Sequence, residues 1–151
     1  MIVRRGAAGD AVALGRLRLR AVQHGSAEVT PDGEAFVAWF AGWFRAHLGT
    51  HVPFVAEEDG ALVGVAWLAL AERVPGETGR LRRCGDVQAV YVVPEARGRG
   101  VASAVVRALL ADAAATGLEH VTVHANEAAA GVYRRAGFEG DAMWLRWAPA
   151  G

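Results

Sequence analysis

Val90-Tyr91-Val92-Val93-Pro94-Glu95-Ala96-Arg97-Gly98-Arg99-Gly100-Val101-Ala102 decides how the rest of this 151-residue chain is read. Val90 to Val93 is a β-forming run, and Pro94, which has no N–H to donate, suits the end of a strand. From Val101 the apolar residues recur at Val105, Ala108 and Leu109, the spacing of one helix face. Between strand and helix lies a turn rich in glycine and arginine. Gly98 and Gly100 let the backbone pass close to a bulky anion, because a Cβ there would block the approach or forbid positive φ. The helix start adds unpaired N–H groups and the positive end of its dipole. Arg97 and Arg99 add charge that can meet phosphate oxygens in bidentate geometry. The stretch predicts a site for a phosphate-bearing ligand.

Three phosphate-binding patterns compete for this turn. A P-loop needs Lys-Ser or Lys-Thr after its last glycine, and here Val101-Ala102 follows Gly100, so that reading fails. A dinucleotide fingerprint would use Gly98 and Gly100, but Ser103 stands where its third small residue is expected; Glu119 lies at a suitable distance for a ribose contact. The third pattern is a resemblance. The stretch resembles the acetyl-CoA pyrophosphate loop of the GNAT superfamily of acyl-CoA N-acyltransferases, Gln/Arg-x-x-Gly-x-Gly/Ala, filled here by Arg97, Gly100 and Ala102. A second segment, Asn126-Glu-Ala-Ala-Ala-Gly-Val-Tyr133-Arg-Arg-Ala-Gly137-Phe138, resembles the family's Asn-x-x-Ala-x-x-x-Tyr-x-x-x-Gly-Phe. The two motifs occur in the family's order.

The resemblance implies an acetyl-CoA-dependent N-acetyltransferase that passes an acetyl group to a primary amine of a small molecule or protein by direct attack on the thioester. It implies that the pantetheine arm lies along Val90, Tyr91 and Val92, with the Val90 amide near the thioester oxygen. The pyrophosphate falls to Arg97, Gly98, Arg99, Gly100, Val101, Ala102 and Ser103, and Asn126 and Tyr133 complete the cofactor set. Tyr133 matches the acid that protonates the departing thiolate; a phenol of pKa ~10 also stabilises the developing charge by its hydrogen bond. For the base, Asp86 occupies a position where some relatives carry a strand-borne glutamate. Two residues on, where many have another acid, this chain has Gln88, which cannot take a proton and is expected on the same face. His124 and Glu34 are the other candidates. No metal is implied. The alternative is a non-catalytic module that binds acyl-CoA, which need not keep Tyr133.

Composition sets the frame around these motifs. Apolar residues make up 53% of the chain, and 16 basic side chains balance 16 acidic ones, so nothing points to disorder or a nucleic-acid-binding surface. The single cysteine, Cys84, cannot form an internal disulfide, and no apolar run spans a bilayer or forms a signal-peptide core. The expectation is a cytoplasmic protein that acts without a membrane, with a homodimer compatible.

Working outward, Ile2 to Arg4 is a short strand and Ala11 to Val22 an amphipathic helix whose Arg16 and Arg20 form a solvated side. Thr30-Pro31-Asp32-Gly33 is a turn before an aromatic-rich helix, about Glu34 to His47, whose family counterpart shapes the acceptor pocket. Val52 to Glu57 and Ala61 to Leu70 form a hairpin through Asp59-Gly60. After the helix from Val101 to about Thr116, His120 to Ala125 is a strand parallel to Cys84–Val93, reached by a helical crossover. Asn126 caps a helix from Glu127 to Ala136, and Met143 to Trp147 closes the sheet. The fold expected is α/β or α+β: residues 1–151 as a single domain, with a mixed, twisted sheet of about six to seven strands and helices on both faces.

Overall fold

The computed structural model describes residues 1–151. Five strands form one sheet in chain order: β1 (Ile2–Arg5), β2 (His51–Glu58), β3 (Ala61–Arg73), β4 (Arg82–Val92) and β5 (Val121–Val123). The first four pair antiparallel, and β5 joins β4 in parallel. Between them run α1 (Ala11–Val22), α2 (Pro31–Ala46) and α3 (Val101–Ala115), and α4 (Ala130–Arg135) follows β5. No helix is long and apolar enough to cross a membrane.

Local chemistry accounts for most of these boundaries. The β2–β3 hairpin turns on Asp59 and Gly60, both at positive φ, as a tight type I′ connection requires. Thr30-Pro31-Asp32-Gly33, expected as the turn leading into this helix, forms the cap and first turn of α2. The Thr30 hydroxyl accepts from the Gly33 N–H at 3.1 Å, and Pro31 occupies the first helical position, where its missing N–H costs nothing. On α2, Val37, Phe40, Ala41 and Phe44 are buried, Trp43 is half-buried and Trp39 faces out.

Side chains alternate along β3, so helices cover both faces. Trp67 meets Phe40 and Phe44 edge-on, with centroids 5.8 and 5.4 Å away, which places α2 over that face. Gly64, three residues earlier and so on the other face, lies against Val101 of α3, where an added Cβ would stand 2.7 Å from Val101 Cγ1. Burial from both sides explains why β2 reads as a continuous apolar run, Val52 to Ala56, rather than an alternating one.

Two expectations need correction. The sheet has five strands because Met143 to Trp147 does not join it. Asp141 draws the local backbone into a turn, its carboxylate accepting the Met143 N–H at 2.8 Å and its carbonyl the Trp144 N–H at 3.2 Å. Leu145 and Trp147 are 91% and 84% exposed. Arg20 is also not part of a solvated face. Its guanidinium grips both Glu95 oxygens, at 2.9 and 2.8 Å, and donates to the Gly25 carbonyl, tying the end of α1 to the turn before α3.

Candidate active site

Two clefts meet along β4. In the first half of that strand Gly85, Asp86 and Val87 pair with Val121, Thr122 and Val123; after Val87 the pairing with β5 stops, while β4 runs on to Val92. The two parallel strands separate there, and Val90 to Val92 present an edge without a parallel neighbour. That edge lines a cleft of about 730 Å³, together with Ala96, Arg97, Gly98 and the start of α3 on one side and Asn126 and Tyr133 on the other. Its size suits a ligand as large as a dinucleotide or coenzyme.

The floor of this cleft combines open glycines, unpartnered N–H groups and an arginine. Gly98 and Gly100 both have positive φ, and a Cβ on either would project into open space rather than into protein. The first intrahelical bond of α3 runs from the Ala104 N–H to the Gly100 carbonyl at 3.0 Å, so the N–H groups of residues 101–103 have no partner within the helix. Val101, Ala102 and Ser103 all line the cleft. Arg97 lines it too; its Nε donates to the Val92 carbonyl at 3.1 Å, and its guanidinium lies 5.9 Å from the centre of the Tyr91 ring. Arg99 points elsewhere. It pairs with Glu58 at the end of β2 and is not among the residues lining the cleft, whereas Arg135 of α4 is. Glu119, the ribose candidate of the dinucleotide reading, is held by Arg82 and Arg73 instead.

Tyr133 reaches the cleft from α4 and is only 8% exposed, its ring edge-on to Phe138. Burial raises its pKa above the ordinary phenol value, so the hydroxyl stays protonated at neutral pH. Asn126 accepts the Ala129 N–H at 2.8 Å, fixing the turn from which α4 starts; the helix proper begins at Ala130, later than the spacing suggested.

The second cleft, about 510 Å³, opens where Asp86, Val87, Gln88 and Ala89 pass beneath α1 and α2. The lining changes from one cleft to the other between Ala89 and Val90. A bulge lies in this segment: Ala89 pairs with Trp67 and Val87 with Leu68, which leaves Gln88 as the extra residue on β4. Asp86 and Gln88 both line the cleft, as their spacing of two implies, and the bulge adds Ala89 to the lining beside them. The Asp86 carboxylate accepts the Thr122 hydroxyl at 2.6 Å. Phe40, Trp43 and Trp67 form an aromatic wall, and Arg18, His51 and His124 add polar groups. Glu34 sits in the first turn of α2 and lines neither cleft.

His51 and Arg18 were missed in the sequence. Register explains His51: His51 pairs with Ala69, and Ala69 with Asp86, so the two side chains share one face of the sheet with only the Ala69 methyl between them. Its ring packs edge-on to Trp43, and Thr50 Oγ1 engages its Nδ1 at 2.9 Å. Burial, reinforced by nearby His47, holds its pKa below the ordinary value. No group of three or more His, Cys, Asp or Glu side chains is placed to hold a metal ion.

With this geometry in view, the relatives are informative. Residues 17–138 match the Acetyltransferase (GNAT) family, and the chain belongs to that family. The mycothiol acetyltransferase of Amycolatopsis mediterranei (strain U-32) is 38% identical over 88 residues, 56% of this chain but 29% of that protein, so the chain spans less than a third of that relative's length. A predicted acetyltransferase from Clostridium acetobutylicum, solved with acetyl-CoA, superposes with a TM-score of 0.68 at 21% identity, covering 97% of this chain and 95% of that one. The ribosomal-protein-alanine N-acetyltransferase of Brucella melitensis biovar Abortus 2308 gives 0.71 at 20% identity over the whole of both chains. At these identities the superpositions speak for the fold.

Proposed function

We propose that the chain is an acetyl-CoA-dependent N-acetyltransferase that acylates a primary amine of a small molecule or a protein. The observation that carries this reading is the parting of β4 from β5 after the Val87–Val123 pair, which leaves an open strand edge between an anion-binding turn and a second, aromatic-walled cleft. Acetyl-CoA brings the acetyl group as an activated thioester. The N–H groups of residues 101–103, the Gly98 and Gly100 turn and Arg97 hold its pyrophosphate. Val90 to Val92 take the pantetheine arm in place of the missing strand, and the Val90 N–H donates to the carbonyl oxygen as charge develops there.

The acceptor enters from the Asp86 side. Its ammonium must lose a proton before nitrogen can attack, and Asp86 takes that proton through a water. The new nitrogen–carbon bond forms as the carbon–sulfur bond breaks, the Tyr133 hydroxyl protonates the leaving sulfur, and the proton shed by the newly acylated nitrogen returns to the Tyr133 oxygen through solvent. Thr122 keeps the Asp86 carboxylate oriented, and burial keeps Tyr133 in the acid form its role requires.

The test is thiol release from acetyl-CoA across a panel of primary amines, paired with calorimetric titration of acetyl-CoA. Wild type should release thiol only when an amine is present. Tyr133→Phe should bind acetyl-CoA as wild type does and lose ~10²–10⁴ in kcat, the usual contribution of a general acid. Tight acetyl-CoA binding with no release for any amine would instead identify a non-catalytic acyl-CoA-binding module.

A further inference from the structure

The second cleft contains one carboxylate, Asp86, and one guanidinium, Arg18. Neither has an ionic partner anywhere in the protein, and they do not pair with each other across the cleft they share. The acidic groups of the ion pairs, Asp10, Glu57, Glu58, Glu95, Asp112 and Glu119, all lie outside this cleft. Opposite charges left apart in one cavity lose little to each other and can both be used by a ligand that spans them. The same cleft has an apolar, aromatic wall: Phe40, Trp43 and Trp67 pack on one another, with Phe40 and Trp43 centroids 5.5 Å apart and Trp43 and Trp67 6.4 Å apart. His51, whose Nδ1 is already engaged by Thr50, has its Nε2 left for a ligand.

From this placement we infer that the acceptor is a zwitterion: a primary amine that also carries a carboxylate or phosphate. Its ammonium is drawn to Asp86, its anion to Arg18, and its apolar body packs on Phe40, Trp43 and Trp67. The inference rests on the acetyltransferase reading and narrows it. A neutral amine of the same shape fills the aromatic wall but leaves Arg18 unused, and an anion lacking the amine leaves Asp86 unused. Arg18 is thereby a specificity-determining residue. Its planar fork suits both carboxylate and phosphate oxygens, so either group on the acceptor satisfies it.

Two matched pairs of acceptors test this: 4-(aminomethyl)benzoate against 4-methylbenzylamine, and 6-aminohexanoate against hexylamine. Each pair differs chiefly in the anion. In wild type the anionic member of at least one pair should be preferred in kcat/KM by about tenfold or more, the scale of one hydrogen bond to a charged group. In Arg18→Gln that preference should fall to near unity, and Arg18→Lys should restore part of it. Equal use of both members by wild type, or a preference that survives in Arg18→Gln, would overturn the inference while leaving the acetyltransferase reading intact. If no amine at all supports thiol release, the enzymatic reading falls. Calorimetric titration of 4-(aminomethyl)benzoate into wild type and Arg18→Gln, with CoA present, then decides the inference separately: binding weakened about tenfold in the variant supports it, and no binding or equal binding removes it.

Discussion

Asp86 and Gln88 show how one residue's role depends on its backbone. Their spacing of two puts both in the cleft, and the bulge at Gln88 brings Gln88 and Ala89 to oppose Trp67 together. Gln88, exposed and unable to accept a proton, can at most position a water or the acceptor. Asp86 is fixed by Thr122, shares its cleft with the aromatic wall and is the base of the proposed reaction. Asp86→Asn should therefore lower kcat/KM at neutral pH and recover part of the loss at high pH, where more of the acceptor is already neutral. The pH–rate profiles of wild type and variant check this: parallel curves would reduce Asp86 to an electrostatic anchor for the ammonium.

At the scale of elements, the start of α3, the proposed anion site, is held by its contact with β3 as well as by its own turn. Gly64 exists so that Val101, the first residue of α3 and fully buried, can approach the sheet. A methyl added there would stand 2.7 Å from Val101 Cγ1, and the branched, rigid valine has little freedom to move aside. Gly64→Ala should cost about 1–3 kcal/mol of stability as an overpacked core site does. It should also weaken acetyl-CoA binding, because the N–H groups of residues 101–103 move with Val101. Urea denaturation and a calorimetric titration measure the two effects. Lost stability with undiminished affinity would mean that the Gly98 and Gly100 turn positions the helix start unaided.

For the molecule as a whole, acid acts through two groups in two pH ranges. The His51 pKa is lowered in the folded state, by burial first and then by His47. The unfolded chain thus binds more protons there, and stability falls as pH drops from about the ordinary 6.5 down through the folded value. Asp10 is also lowered, chiefly by its hydrogen bond from Arg4, which bridges Asp10 and Glu57 and so ties β1 to β2. Its contribution is present above the ordinary 3.8 and is lost as pH falls through the lower, folded value. His51→Gln should flatten the upper range only. Urea midpoints of wild type and variant, followed from neutral pH to mildly acid, should converge as pH falls; a constant difference would show that His51 does not titrate differently on folding.

The sequence alone determined what local physics dictates. The Asp59-Gly60 hairpin, the helix start after Gly100 and the positive φ at Gly98 and Gly100 follow from a few adjacent residues whose backbone preferences have one good solution. The helices over Ala11–Val22 and Val101–Ala115 were legible from periodicity for the same reason. Pairing over distance was decided only in the folded structure. That Arg99 turns to Glu58, that Arg20 grips Glu95, that Met143–Trp147 stays off the sheet and that β5 leaves β4 after Val123 depend on which partner lies nearest once the chain is packed. So does the second cleft, where sheet register places His51 on the face of Asp86 and α1 contributes Arg18. These residues are far apart in sequence, and no local preference links them; only the shared burial of both sheet faces fixes the register that brings them together.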